Sequence, residues 1–437
     1  MTQSNIIVPR KLSGFMELPP HKQMIFDDMM DKIKEVFKKN AFLPLDTPVL
    51  ELSEILLAKS GGDIDKEIYR FNKGDTDICM RYDLTVPLAR FVAMEKDNLS
   101  FPFKRFQIGK VYRGEKAQKG RFREFYQCDA DIIGMEQLPI PADGECINMI
   151  SEIFKAIKVD NILIQISNRN ILFGLCQALD LQEKTEDILI LLDKMPKIGK
   201  EKVFASLLDL QISEDKANML INVAGTKGTF EGVLAKVKDL CDNQTYTKGI
   251  QDLESLGKYL QACGLEKDRY ILDLGIIRGH NYYTGTVFET IMTTHPEFGV
   301  ICAGGRYDNL TQYFSDKKMP GVGLSVGLTR LFDLLDKNNL LPQYPLSPVK
   351  VEIIPLGDTL EYCLQVERFL KNNGIICETN WDERSFKGKM KDANKRQIPY
   401  VCVIGESEVE SGKLALKDMI SGTQQSLSKE EIVNLVK

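Results

Sequence analysis

Histidine is scarce in this chain: His21, His280 and His295 are the only three in 437 residues. The ten cysteines include no CxxC pair. Zinc sites need closely spaced His and Cys ligands, so the sequence gives no support for a protein-held metal. The thiols sit in apolar text such as Val401-Cys402-Val403, which predicts buried, reduced cysteines. No apolar run approaches the roughly 18–20 residues of a membrane span. Met1 to Lys11 has no apolar segment of signal-peptide type. No membrane partner and a cytoplasmic location are therefore expected. An excess of positive charge is also lacking, since the formal net charge is −5. Any nucleic-acid contact must then rely on local basic patches rather than bulk charge.

What is present is a long, ordinary globular text, 43% hydrophobic and 27% charged. That length exceeds one core and predicts two or three domains. Met24, Ile25, Met29, Ile33, Val36 and Phe37 recur at helical spacing and predict a helix over Gln23–Lys39. Strand text follows at Thr47–Glu51 and Ile78–Arg81, then a helix over Leu84–Met94. Phe103–Arg113 and Arg123–Ile133 read as antiparallel strands joined by the polar loop Gly114–Arg121. Pro141–Ala156 reads as helix. From about Asn168 to Leu265 strand signals vanish, which predicts a helical insertion. Strand text resumes at Tyr270–Glu289, Val300–Gly305 and Gly321–Leu335. The predicted domains are residues 1–336, a proline-bearing linker at 337–348, and an α/β domain at 349–437, where strand and helix patterns alternate.

Four segments carry chemistry. Arg278-Gly279-His280-Asn281-Tyr282-Tyr283 puts a cation and two aromatic hydroxyls between strands, where Arg suits a phosphate and the paired Tyr suit a small polar substrate. Phe106–Gly134 holds Arg113, Glu115, Lys116, Lys119, Arg121 and Arg123 around a loop, a grip for a triphosphate or simply a solvated hairpin. Its second strand carries Glu124, Gln127, Asp129 and Asp131 where apolar alternation is expected. In Met80–Arg90, Asp83 is either a helix cap or, with Thr85, a seat for an ammonium group. Gly321–Leu331 places glycines before Arg330 at a helix start, for close packing or for a nucleotide.

In this order, these segments resemble the histidyl-tRNA synthetase family. Phe106–Gly134 is similar to motif 2 of class II synthetases, with Arg113 and Glu115 as its signature, and Gly321–Leu331 is similar to motif 3. Ala303-Gly304-Gly305-Arg306-Tyr307-Asp308 is a further match. The resemblance implies an α+β fold: a class II antiparallel sheet core with helices, a helical insertion and a C-terminal α/β anticodon-binding domain. It implies a ligase that activates L-histidine with ATP and Mg²⁺ and transfers it to tRNA(His). Arg113 and Arg278 are the implied catalytic pair. Asp83, Leu84, Thr85, Gln127, Asp131, Arg278, Tyr282 and Tyr283 are implied to bind histidine. Arg113, Glu115, Arg121 and Arg330 are implied to bind ATP. The basic helix face with Arg384, Lys387, Lys391, Lys395 and Arg396 is implied to meet tRNA. Pro48 fits motif 1, so a homodimer is expected. One departure stands out: Thr329 occupies the position before Arg330 where the family usually has an acid. The alternative is an inactive histidine-sensing paralogue, of the kind that regulates ATP phosphoribosyltransferase. That class usually loses motif residues and the C-terminal domain.

Overall fold

The computed structural model describes residues 7–58, 64–116, 120–277, 283–343 and 345–437. The chain divides into two compact units. One runs up to Glu17 and over Asp27–Leu340; the other joins Leu18–Phe26 to Leu341–Lys437.

The larger unit is built on a nine-stranded sheet. Its strands are β1 (Leu43–Pro44), β2 (Phe103–Tyr112), β3 (Glu124–Ile133), β4 (Ile162–Asn168), β5 (Lys227–Gly228), β6 (Tyr270–Asp273), β7 (Thr286–Met292), β8 (Val300–Tyr307) and β9 (Gly321–Gly327). They lie in the order β1-β2-β3-β9-β8-β7-β4-β6-β5. From β2 to β4 every pairing is antiparallel, while β1 on β2 and β6 on β4 are parallel. Strand alternation sends side chains to opposite faces. On β3 it buries Cys128, Ala130 and Ile132 on one face and Gln127, Asp129 and Asp131 on the other. The apolar face is covered by a helix over Pro141–Ala156, whose Cys146, Ile147, Ile150 and Phe154 are fully buried. Dense polar residues therefore stand in a regular ten-residue strand without breaking it.

The predicted elements recur with shifts that have physical causes. The first helix begins at Pro20, because a proline at a first helical position loses no needed N–H. The strand expected at Thr47–Glu51 forms at Leu50–Leu52, in a small sheet with Thr76–Met80 and Arg70–Lys73. The helix expected from Leu84 starts at Thr85, since Asp83 Oδ1 accepts the N–H groups of Thr85 and Val86 at 3.1 and 3.0 Å. The sequence reading missed β4, which abuts the helical segment. It also missed β5, two residues within that segment that pair with β6 at the sheet edge. Otherwise the stretch from Arg169 to Ala262 is helical. Its helices Arg169–Ala178 and Gln244–Ala262 approach closely because a Cβ at Gly174 would overlap the Tyr246 backbone.

In the smaller unit, Val351–Pro355, Cys377–Thr379 and Tyr400–Ile404 pair in parallel. Leu414–Asp418 and Gln424–Leu427 extend this sheet in antiparallel fashion, and Lys429–Val436 closes it as a helix. These last three elements were not anticipated. Val351, Ile353, Val366, Leu370, Cys402 and Ile432 are among the buried residues of its core.

Candidate active site

The polar face of β3 floors a cavity of about 320 Å³. Register decides what surrounds it. Arg105 and Gln107 on β2 stand opposite Asp131 and Asp129, and Gly323 and Ser325 on β9 stand opposite the same two. The cavity is lined by Asp83, Thr85, Gln127, Asp129, Asp131, Tyr283, Tyr307, Gly323, Leu324 and Ser325. A side chain at Gly323 would overlap Asp131 Oδ1, and one at Gly321 would overlap the Tyr307 ring. These glycines make room for the pocket's own walls. On the opposite face Gly304 leaves room for the buried Phe288 ring, which does not line the cavity.

Asp131 Oδ1 accepts the Tyr307 hydroxyl at 2.7 Å. Its Oδ2 lies 2.7 Å from Arg105 Nη2, a close charge contact without a hydrogen-bonding angle. Arg105 is fully buried and also donates to the Leu84 carbonyl at 3.2 Å. Gln127 Nε2 donates to Ser325 Oγ at 2.9 Å. That leaves Gln127 Oε1 and Asp129 Oδ1 buried with no hydrogen-bond partner among the described residues. Burial pushes the Asp129 carboxyl up to about 7, with Asp131 and Asp83 adding, and Arg105 and the Ser325 hydroxyl opposing; the open acceptor is Oδ1. Asp131 is raised as well, again mainly by burial. Three carboxylates outnumbering the Arg105 and Arg81 guanidinium groups, with two orphan acceptors among the described residues, fit a donor-rich cationic ligand.

The expected residues fall as follows. Asp83, Thr85, Gln127, Asp131 and Tyr283 line the cavity together. Asp83 Oδ1 also accepts the first N–H groups of the helix at Thr85, which is the capping reading of that residue. Leu84 is buried and meets the site through its carbonyl rather than as a lining residue. Arg278 and Tyr282 lie outside the described residues. Arg306, within the matching run Ala303–Asp308, is held by Asp143 in a buried ion pair at 2.6 Å and donates to the Leu138 carbonyl.

A second cluster faces anions. The Arg113 guanidinium stacks 4.3 Å from the Tyr82 ring centroid and 5.1 Å from that of Phe125. Tyr82 is held by its hydroxyl on Glu67 at 3.0 Å. Glu115 pairs with Arg121 at 3.1 Å. Gly120, at φ 73°, turns the loop past Arg330, which donates to the Phe298 carbonyl at 2.6 Å. Arg330 Nε is buried without a partner among the described residues. Its guanidinium is pulled below the usual range by burial and by Arg121, with Glu115 opposing. Like charges held this close suit a polyanion. Thr329 accepts the Tyr126 N–H at 2.8 Å, so it pins the helix Leu328–Lys337 to β3 rather than orienting Arg330 by charge. Among the described residues no group of His, Cys, Asp and Glu is arranged to hold a metal.

In the smaller unit, Arg384 is paired with Asp382 and Asp392, and Arg396 with Glu378 and Asp392. Lys387, Lys391 and Lys395 stand exposed at four-residue spacing on the helix Phe386–Lys395, with no ion pair among the described residues.

Sequence reasoning gave no role to Arg105, Asp129, Ser325 or Tyr307. The one available signal was Asp129 itself, at the alternation position between Gln127 and Asp131. Arg105 becomes visible only through strand register.

The family description Histidyl-tRNA synthetase matches residues 14–331, and that of the Anticodon binding domain matches 350–437. The chain is 43% identical over 437 residues to a histidine–tRNA ligase of Clostridium tetani, covering 100% of this chain and 99% of that one. A histidine–tRNA ligase of Clostridium acetobutylicum is 46% identical over 98% of this chain and 100% of its own. The crystal structure of histidyl-tRNA synthetase from Nostoc sp. PCC 7120 superposes with a TM-score of 0.91 at 33% identity, over 99% of each chain. No described helix is long and apolar enough to cross a membrane. With its mixed sheet, its carboxylate cavity and these full-length likenesses, the chain belongs to the histidyl-tRNA synthetase family.

Proposed function

We infer that the protein is a histidine–tRNA ligase, which joins histidine to ATP as an adenylate and passes the aminoacyl group to tRNA(His). The carrying observation is the cavity floor: two buried orphan acceptors among three carboxylates ask for a ligand with several N–H donors and positive charge. Histidine supplies an ammonium group and an imidazole. Asp83, Thr85 and Gln127 would seat the ammonium; Asp131, Tyr282 and Tyr283 would read the ring.

In the first step, an oxygen of the histidine carboxylate bonds to the ATP α-phosphorus and pyrophosphate leaves. The carboxylate is already ionised, so no protein base is required. Arg113, braced between Tyr82 and Phe125, would hold the charge growing on the α-phosphate, with Arg278 beside it. Glu115 would face the adenine or the incoming tRNA end. Arg121 and Arg330 would take the β- and γ-phosphates, and Arg330 would lie over the adenine. Mg²⁺ would arrive on the nucleotide and neutralise those same phosphates. In the second step, the terminal ribose hydroxyl of tRNA attacks the activated carbonyl carbon and AMP leaves. Lys387, Lys391 and Lys395 are the free cations proposed to meet tRNA phosphates, with Arg384 and Arg396 held beside them by acidic partners. A homodimer and a cytoplasmic location complete the proposal.

ATP–pyrophosphate exchange with each of the twenty amino acids tests the reading. Exchange with histidine alone is expected. Histidine binding without any exchange would instead support the sensor reading.

A further inference from the structure

Asp129 stands at the alternation position between Gln127 and Asp131 on β3. It is buried at mid-strand, yet its Oδ1 has no hydrogen-bond partner among the described residues. It lines the same cavity as Gln127 and Asp131. A carboxylate in that position costs stability unless something satisfies it. With Arg81, whose charge also reaches Asp129, the fully buried Arg105 opposite Asp131 supplies positive charge for Asp83, Asp129 and Asp131 together. Arg105 Nε and Nη1 also have no partner among the described residues, so it neutralises the floor without closing it. Among the described residues the three carboxylates therefore outnumber the two guanidinium groups by one.

We propose that Asp129 is a further specificity-determining residue for histidine: its Oδ1 accepts an N–H of the bound amino acid, and Arg105 is the positioning residue that lets three carboxylates face one ligand. This rests on the ligase reading for the identity of the ligand, and on the cavity geometry for everything else.

The proposal has a pH signature. Among the described residues the charged groups interacting with Asp129 are Arg81 and Asp83 ahead of the helix at Thr85, Arg105 on β2 and Asp131 on its own strand; the buried Cys128 and Cys302 thiols on the opposite face stay neutral. In the empty cavity burial holds Asp129 at about 7. A cation bound beside it favours the ionised form and lowers that value. Binding thus releases a proton at pH near and below 7, so the Asp129 contribution is complete above that range and fades below it.

The experiment is the histidine Kd of Asp129→Asn relative to the unaltered protein, by calorimetry, across pH. Titration of histidine itself is common to both proteins and cancels in the ratio. At about pH 8.5 the variant should bind on the order of 10- to 100-fold more weakly, the size of one charge-assisted hydrogen bond. At about pH 5.5, where Asp129 is itself neutral, the ratio should approach one. Asp129→Glu should restore the pH dependence. The Asn side chain is isosteric with the neutral acid that the folded protein already carries near pH 7, and the KM for ATP monitors the rest of the site. A pH-independent ratio, or one within about twofold of unity at pH 8.5, overturns the proposal. The two readings fail separately. Loss of exchange in the unaltered protein with histidine still bound defeats the ligase reading alone, whereas normal exchange with equal affinities defeats Asp129.

Discussion

At the scale of residues, the site is a balance between buried charges and the few groups that satisfy them. Arg306 shows how strictly this holds. Its guanidinium pairs with Asp143, which is completely buried, and donates to the Leu138 carbonyl at 2.9 Å. Arg306→Met should cost about 3–5 kcal/mol in urea unfolding, because it leaves a buried carboxylate unpaired. Even beside Arg306, burial holds Asp143 above the usual carboxylate range. A carboxylate raised in the folded state penalises folding when ionised and not when protonated. Removing Arg306 raises it further, so the loss should be larger at pH 8 than at pH 5, about one unit above and two below neutrality. An equal loss at both would refute that account. The sequence showed Arg306 only inside a family match; the position of Asp143, 163 residues away, makes it an ion-pair partner. Thr329 teaches a related lesson. Its hydroxyl accepts the N–H of Tyr126 on β3. A departure from the family pattern is thus a backbone tether.

At the scale of elements, strand alternation and register assemble the cavity. Gln127, Asp129 and Asp131 were legible as a polar stripe because every second residue of a strand shares a face. Their partners were not, since which residue of β2 or β9 lies opposite depends on pairing between segments distant in sequence. Gly323 is opposite Asp131 and leaves room for its carboxylate. Gly323→Ala should push Asp131 aside and raise the KM for histidine at least about tenfold, with an overpacking cost of about 1–3 kcal/mol. The KM for ATP in the same assay is the control, and a histidine KM within twofold of the parent's would count against the assignment of Asp131. Helix boundaries followed local chemistry and were mostly readable: Pro141–Ala156 and Leu360–Asn372 form over the expected spans. The strand Ile162–Asn168 escaped notice because an apolar run flanking helical text has no periodicity that separates strand from helix.

At the scale of the whole molecule, the two units carry different physics. The larger one holds the residues proposed for histidine and ATP; the smaller presents three lysines on one helix face that have no ion pair among the described residues. Changing Lys387, Lys391 and Lys395 to Glu together should raise the KM for tRNA in aminoacylation. It should also flatten the salt dependence by up to about 2 in log–log slope, as lost phosphate contacts release fewer counterions. Pyrophosphate exchange uses no tRNA and serves as the internal control; an unchanged salt slope would remove these lysines from the interface. The sequence by itself determined the family, the strand pair that carries the site, the helical stretch and the polar stripe of β3, because these rest on local periodicity and on motifs that are contiguous in the chain. Tertiary structure alone decided that Arg105 neutralises the floor, that Asp129 is left with an open acceptor, that Arg306 is structural and that Thr329 is a tether. Each of those outcomes depends on which buried group finds a partner across the sheet, and burial makes that partnership, rather than residue type, set the energy.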